Sequence, residues 1–219
     1  NYGVSSPCGS SNIFENLGYT FGNNNDKLKK ELEHAGICYL HAPLFHPAMK
    51  NVGPVRKALK VKTFFNILGP MVNPAKPKSQ LIGVYNEEVL KLYTDVYKST
   101  HVKFGIVHST DGYDEVSLTS PFLMSNVESL TEILPETLGF KTYTQKDLYG
   151  GNSIKESMKI FNNVLDDNCT PAQKDVVVAH AALGIKTMDN TKPMEECVSL
   201  ARQSIEGKSA KEVVKRLIG

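Results

Sequence analysis

Three stretches of this sequence carry side chains whose types and spacing could do chemistry. The first is residues 1–11, NYGVSSPCGSS. Ser and Gly crowd a loop that leads into a helix, and such a loop offers hydroxyls and backbone N–H groups to an anion such as phosphate. The same residues also fit an ordinary turn in which Ser11 caps the helix. The second is residues 46–75, HPAMKNVGPVRKALKVKTFFNILGPMVNPA. Its Arg56 has paired donors that match a planar carboxylate. His46 either donates to a substrate or caps a helix, while Lys57, Lys60 and Lys62 fit a solvated helix face. The third is residues 109–119, STDGYDEVSLT. Asp111-Gly112 makes a turn, and Asp114 and Glu115 open the strand after it. Successive strand side chains point to opposite faces, yet at a strand end both carboxylates reach one hydrated cation. Mg²⁺ takes such oxygens together with waters and a substrate phosphate. Composition alone would leave them as two solvated acids in a polar turn.

Charge is unevenly spread. The 219 residues carry a net charge of only +2, but no Asp or Glu occurs between Glu33 and Glu87. That interval holds Lys50, Arg56, Lys57, Lys60, Lys62, Lys76 and Lys78. Such a block requires an anionic partner or a well-solvated face. With 41% hydrophobic and 22% charged residues, the composition is that of a soluble globular protein. No apolar run approaches the roughly 18–20 residues of a membrane span. The first residues lack the basic and apolar regions of a signal peptide, and the absence of an initial Met suggests an N-terminal truncation. Cys8, Cys38, Cys169 and Cys197 are too widely spaced for a zinc site. Cys38 in an apolar run and Cys197 on an apolar helix side read as buried thiols of a reducing, cytoplasmic protein. His41, His101, His108 and His180 have no metal-ligand spacing. His180, among alanines, reads as a packed histidine, and His108 lies near the Asp-Glu turn.

The elements that must position these residues follow from periodicity. Helices are predicted over 11–17, closed by Gly18, and over 27–34, capped by Asp26. Residues 36–42, GICYLHA, read as a buried strand, followed by strands at 80–85, 103–109 and 115–120. An amphipathic helix, 87–99, has Val89, Leu92, Tyr93 and Val96 on one face. The strand–helix–strand rhythm predicts parallel pairing. Residues 121–140 read as strand and loop. Helices follow at 154–165, 171–186, 193–206 and 210–217, with Thr170-Pro171 and Lys192-Pro193 marking starts. Two short helices, at 54–59 and 62–68, interrupt the α/β rhythm and suggest a small helical lobe.

Together the three strings resemble the anthranilate phosphoribosyltransferase family of tryptophan biosynthesis. Residues 46–75 match its long middle motif almost end to end, and DGYDEVSLT matches its acidic motif. Tyr149–Gly151 and the tail SLARQSIEGKSA are also similar to the family. The resemblance covers the whole chain and implies an α/β phosphoribosyltransferase-like large domain with a central, mostly parallel sheet, residues 1–43 and 75–219. It implies that residues 44–74 belong to a small helical domain, through which the family usually forms homodimers. The family transfers 5-phosphoribosyl from phosphoribosyl diphosphate to the amine of anthranilate, with Mg²⁺. By the resemblance, Asn1, His46 and Arg56 bind anthranilate, and Asn1, Tyr2, Gly3, Val4, Ser5, Ser6 and Ser10 bind phosphoribosyl diphosphate. Asp114 and Glu115 bind Mg²⁺, and no protein nucleophile is expected. Tyr2 and Gly3 stand where Arg and Ser are usual, and Pro7-Cys8 replaces a usual Lys-Ser. The family's Gly-Thr-Gly-Gly-Asp diphosphate loop and a Mg²⁺-binding Ser are expected upstream of Asn1, so the isolated chain is expected to be inactive.

Two other readings compete. A pyrimidine nucleoside phosphorylase shares the fold, but the middle motif fits it poorly. A non-catalytic nucleic-acid-binding homologue would use the acid-free block. Such an anion binder has no use for Asp114 and Glu115, so no nucleic-acid partner is expected.

Overall fold

The computed structural model describes residues 8–46 and 67–219. The predicted helices at 54–59 and most of 62–68 therefore lie outside the described residues. The chain divides into two compact units. The first comprises Asn1–Leu68, Gly150–Asn168 and Lys208–Gly219, and the second Gly69–Tyr149 and Cys169–Gly207.

In the first unit, α1 is Ser10–Asn16, α2 is Asn25–Ala35 and α3 is Ala42–Phe45. Asn24 rather than Asp26 caps α2, its side chain accepting from the Asp26 and Lys27 amides. Asn24 precedes the first free amides and so reaches them, whereas Asp26 sits in the first turn, where its charge suits the helix dipole. Gly36 ends the helix in the left-handed region, φ 74°, which a residue lacking Cβ adopts without strain.

Residues 36–42 do not form the expected strand. Nor is the run buried throughout: Gly36 and Ile37 are exposed, and of its residues only His41 is buried. Here the burial is aromatic: Tyr39 and His41 project into a cluster with Phe14, Tyr19 and Phe21. The His41 ring stacks on Phe21 at 4.4 Å. Ser11 is fully buried beneath, its hydroxyl 3.1 Å from both Tyr39 Oη and His41 Nδ1. Burial pushes the His41 pKa down. Two later helices complete this unit, α5 (Ile154–Leu165) against α1 and α8 (Ser209–Ile218) against α2.

The second unit is built on a four-stranded sheet in the order β1 (Ser79–Gly83), β2 (Lys103–Ser109), β3 (Phe122–Ser125) and β4 (Leu130–Ile133). β1 and β2 run parallel through the crossover helix α4 (Glu87–Lys98), as predicted. The other two pairings are antiparallel, so among the described residues the sheet is mixed rather than mostly parallel. The predicted strand at 115–120 is an irregular loop, and β3 takes the place beside β2. Leu118, at φ 55°, breaks the extended path there. The bend sends the fully buried Val116 and Leu118 into the core.

β2 is buried along almost its whole length, as a strand covered on both faces must be. Phe104, Ile106 and His108 share one face, where Phe104 meets Tyr97 of α4 at 5.6 Å between ring centroids. Gly105, Val107 and Ser109 share the other. A Cβ on Gly105 would lie 2.5 Å from Thr187 Oγ1 of α6 (Pro171–Met188), so the glycine lets that helix close onto the sheet. α6 starts where Thr170-Pro171 predicts, with Thr170 and Gln173 capping each other reciprocally. α7 (Met194–Glu206) packs on α6. Cys197 is fully buried on α7, and Cys38 half-buried; both are free thiols.

Candidate functional site

The acidic pair sits on the loop that follows β2 in the second unit. Ser109 is the last residue of that strand and is fully buried. Its amide donates to the Tyr113 carbonyl at 2.9 Å, and its carbonyl accepts from the Gly112 amide at 2.9 Å. Its hydroxyl donates to the Glu115 carbonyl at 2.6 Å and accepts from the Ser117 amide at 3.1 Å. The loop is thus folded back onto the strand end and tied there by main chain and side chain together.

Two further contacts fix its path. The Asp114 carbonyl lies so close to Gly83 that a Cβ there would be 1.6 Å from its oxygen. The Val116 amide donates to His180 Nδ1 of α6, at 3.4 Å. His180 is half-buried, and burial lowers its pKa against the raising influence of Glu115 and Asp114. Accepting from the Val116 amide requires Nδ1 to carry no proton.

The three acids of the motif separate by role. Asp111 accepts from the Ser117 hydroxyl at 3.3 Å and from the Thr119 hydroxyl, so it is taken up in tying the loop. Asp114 and Glu115 are exposed. Among the described residues neither carboxylate has an ion-pair or hydrogen-bond partner. The same residues contain no group of three or more His, Cys, Asp or Glu that could hold a metal. A cation here would take at most two His, Cys, Asp or Glu ligands from them and complete its shell with other oxygens such as water and substrate. That donor set fits Mg²⁺, which keeps several waters and binds through one or two carboxylates and phosphate. It does not fit zinc.

The remaining predicted site residues distribute as follows. Ser10 is exposed at the first position of α1, where Asn12 Oδ1 takes the Gly9 amide at 2.9 Å. His46 is half-buried and closes α3 through its own amide, which donates to the Ala42 carbonyl at 3.1 Å. Asn1, Tyr2, Gly3, Val4, Ser5, Ser6 and Arg56 lie outside the described residues. His108 stands on the α4 face of β2, and its Nδ1–H donates to the Val84 carbonyl at 3.0 Å, tying β1 to β2. Sequence reasoning passed over Ser109 and Gly83. The only signal for Ser109 is its position, directly before the turn, and for Gly83 that a glycine interrupts the predicted strand 80–85.

An α/β sheet covered on both faces, with exposed carboxylates on the loop leaving a strand's carboxyl end, defines a class of protein. Ligands of such sheets bind beyond that end of the strands. Within that class, the chain belongs to the glycosyl transferase family, a/b domain, whose family model matches residues 1–211. It is 47% identical over 218 residues to the anthranilate phosphoribosyltransferase of Phocaeicola vulgatus, covering 100% of this chain and 66% of that protein. The anthranilate phosphoribosyltransferase of Flavobacterium johnsoniae is 50% identical, with 98% and 65% covered. Among solved structures, the anthranilate phosphoribosyltransferase of Thermus thermophilus matches with a TM-score of 0.92 at 29% identity, over 100% of this chain and 66% of that one. The Saccharomyces cerevisiae enzyme in complex with PRPP and Mg shares the fold, with a TM-score of 0.90 at 23% identity, over 99% and 62%. The chain therefore spans about two thirds, 66%, of the length of the curated relatives it matches. Among the described residues no helix is long and apolar enough to cross a membrane.

Proposed function

We propose that this chain forms the larger part of an anthranilate phosphoribosyltransferase of tryptophan biosynthesis. The amine of anthranilate attacks C1 of phosphoribosyl diphosphate. The C1–N bond forms, the C1–O bond to diphosphate breaks, and the amine loses a proton. The observation that carries the reading is the exposed pair Asp114 and Glu115, without an ion-pair partner among the described residues, on a loop tied to the end of β2. Asp114 and Glu115 would hold Mg²⁺ along with waters and diphosphate oxygens. When bound there, the ion offsets the charge of the leaving diphosphate. Arg56, His46 and Asn1 are assigned to anthranilate, Arg56 gripping its carboxylate so that the nitrogen faces C1. Asn1, Tyr2, Gly3, Val4, Ser5, Ser6 and Ser10 are assigned to phosphoribosyl diphosphate. No protein nucleophile is required. Residues 44–74 are assigned to a small helical domain that mediates homodimerisation, and the protein to the cytoplasm. Supporting the reading as a whole are the relatives at 47% and 50% identity, both anthranilate phosphoribosyltransferases.

The test is a polypeptide of the relatives' full length that carries this sequence. With Mg²⁺ and phosphoribosyl diphosphate it should consume anthranilate, followed by the loss of its fluorescence. Asp114→Asn with Glu115→Gln should slow that loss at least about a hundredfold, on the order of the effect of removing a transition-state charge partner. Unchanged turnover in the double variant would overturn the assignment.

A further inference from the structure

We propose that Ser109 is the positioning residue for the carboxylate pair: its buried hydroxyl clasps the main chain of Glu115 and Ser117 and so sets where Asp114 and Glu115 present their oxygens. The inference rests on the metal-binding reading given above and adds a residue to which that reading assigns no part.

Burial makes the first case for it. Ser109 is fully buried, on the α6 face of β2. A buried hydroxyl without partners is costly, and this one is fully used. It donates to the Glu115 carbonyl at 2.6 Å and accepts from the Ser117 amide at 3.1 Å. Those two groups flank Val116, whose side chain is fully buried and whose amide is held by His180. Tyr113, just before the pair, is tied through its carbonyl to the Ser109 amide at 2.9 Å. Main chain is thus fixed on both sides of Asp114 and Glu115, while their side chains remain exposed.

Among the described residues no other side chain replaces this clasp. Asp111, Ser117 and Thr119 bond mainly among themselves, and His180 holds only the Val116 amide. Gly83 limits how far the Asp114 carbonyl can move inward but does not hold it. The Ser109 side chain joins the strand end to the stretch that follows the pair. With two carboxylates as the acidic ligands among the described residues, the cation site depends on such anchoring of the main chain that carries them.

The experiment compares the chain with Ser109→Ala, using Mn²⁺ as the probe and reading free ion by electron paramagnetic resonance. Hydrogen exchange of the segment 110–121 is measured alongside, without metal. Ser109→Ala should bind Mn²⁺ about tenfold more weakly, the loss of two net hydrogen bonds' ordering, and exchange in the segment should quicken. Val178→Ala, a cavity variant in the fully buried core of α6, serves as the control for lost stability and should leave Mn²⁺ affinity unchanged. If Asp114→Asn abolishes binding but Ser109→Ala matches the parent in affinity and exchange, the positioning role is wrong and the metal site stands. If Asp114→Asn binds like the parent, the metal site itself is wrong and the role falls with it. If Val178→Ala weakens binding as much as Ser109→Ala, the effect is general destabilisation and the proposal is overturned.

Discussion

Gly83→Ala should displace the acidic loop, and the structure gives the size of the effect. The new Cβ would lie 1.6 Å from the Asp114 carbonyl oxygen and 2.8 Å from its carbon, both main-chain atoms. An ordinary C···O contact is about 3.3 Å, so the loop must retreat by about 1.7 Å or β1 must shift by as much. That displacement strains the three nearby ties, Ser109 to Tyr113, Ser109 to Glu115 and Val116 to His180. At about 1 kcal/mol net for each hydrogen bond, the loss is about 2–3 kcal/mol. For a chain of this size that lowers the melting temperature by roughly 4–12 °C. Gly184→Ala is the matched control, since its Cβ would meet only Leu81 Cδ2, at 3.9 Å. It lies inside α6, where Ala exceeds Gly by about 1 kcal/mol, so its melting temperature should rise. Calorimetry on both variants, with a Mn²⁺ titration of each, measures the contrast. A Gly83→Ala protein that melts with the parent and binds Mn²⁺ equally would show that the loop does not depend on this contact.

Other outcomes follow from the same geometry. Asp114→Asn and Glu115→Gln should lower Mn²⁺ affinity yet shift stability by less than about 0.5 kcal/mol, because both side chains are exposed; a large fall in melting temperature would mean that they hold the fold. His180 has its pKa lowered by burial, so the unfolded chain takes up a proton that the folded site resists. Its contribution is present above about pH 6.5 and is lost as pH falls below that value; His180→Gln should flatten the decline seen in denaturant melts between neutral and acid pH. Tyr93 of α4 has its pKa raised to about 12 by burial. Stability should thus be full below about pH 10 and fall as pH rises towards 12, with Tyr93→Phe reducing the fall. Thr170→Ala removes the bond that the Thr170 hydroxyl accepts from the Gln173 amide in the α6 cap and should cost about 1 kcal/mol in chemical denaturation.

Local patterns were enough wherever an element's limits are set by its own residues. The helix at 154–165 and the strand at 103–109 lie at the predicted bounds, and Thr170-Pro171 starts α6 because cap and ring act within one turn. The acidic motif was equally legible as a string. Tertiary packing decided what those patterns leave open. α4 was predicted at nearly the right length, but its buried face is rotated: Leu90, Thr94 and Tyr97 join Val89 and Tyr93, while Leu92 and Val96 are 45% and 37% exposed. A helix with apolar residues on two sides turns the side that its neighbours can cover. Of residues 36–42 only His41 is buried, against a ring rather than in a strand, and 115–120 form a loop because β3 takes the edge of β2. Gly83 matters only through Asp114, which lies beyond α4 and β2 in the chain, and Ser109 only because the loop that follows it folds back on the strand end. No periodicity in a chain reports which carbonyl comes to rest against a strand's end; that is settled when the strand, the loop and α6 pack together.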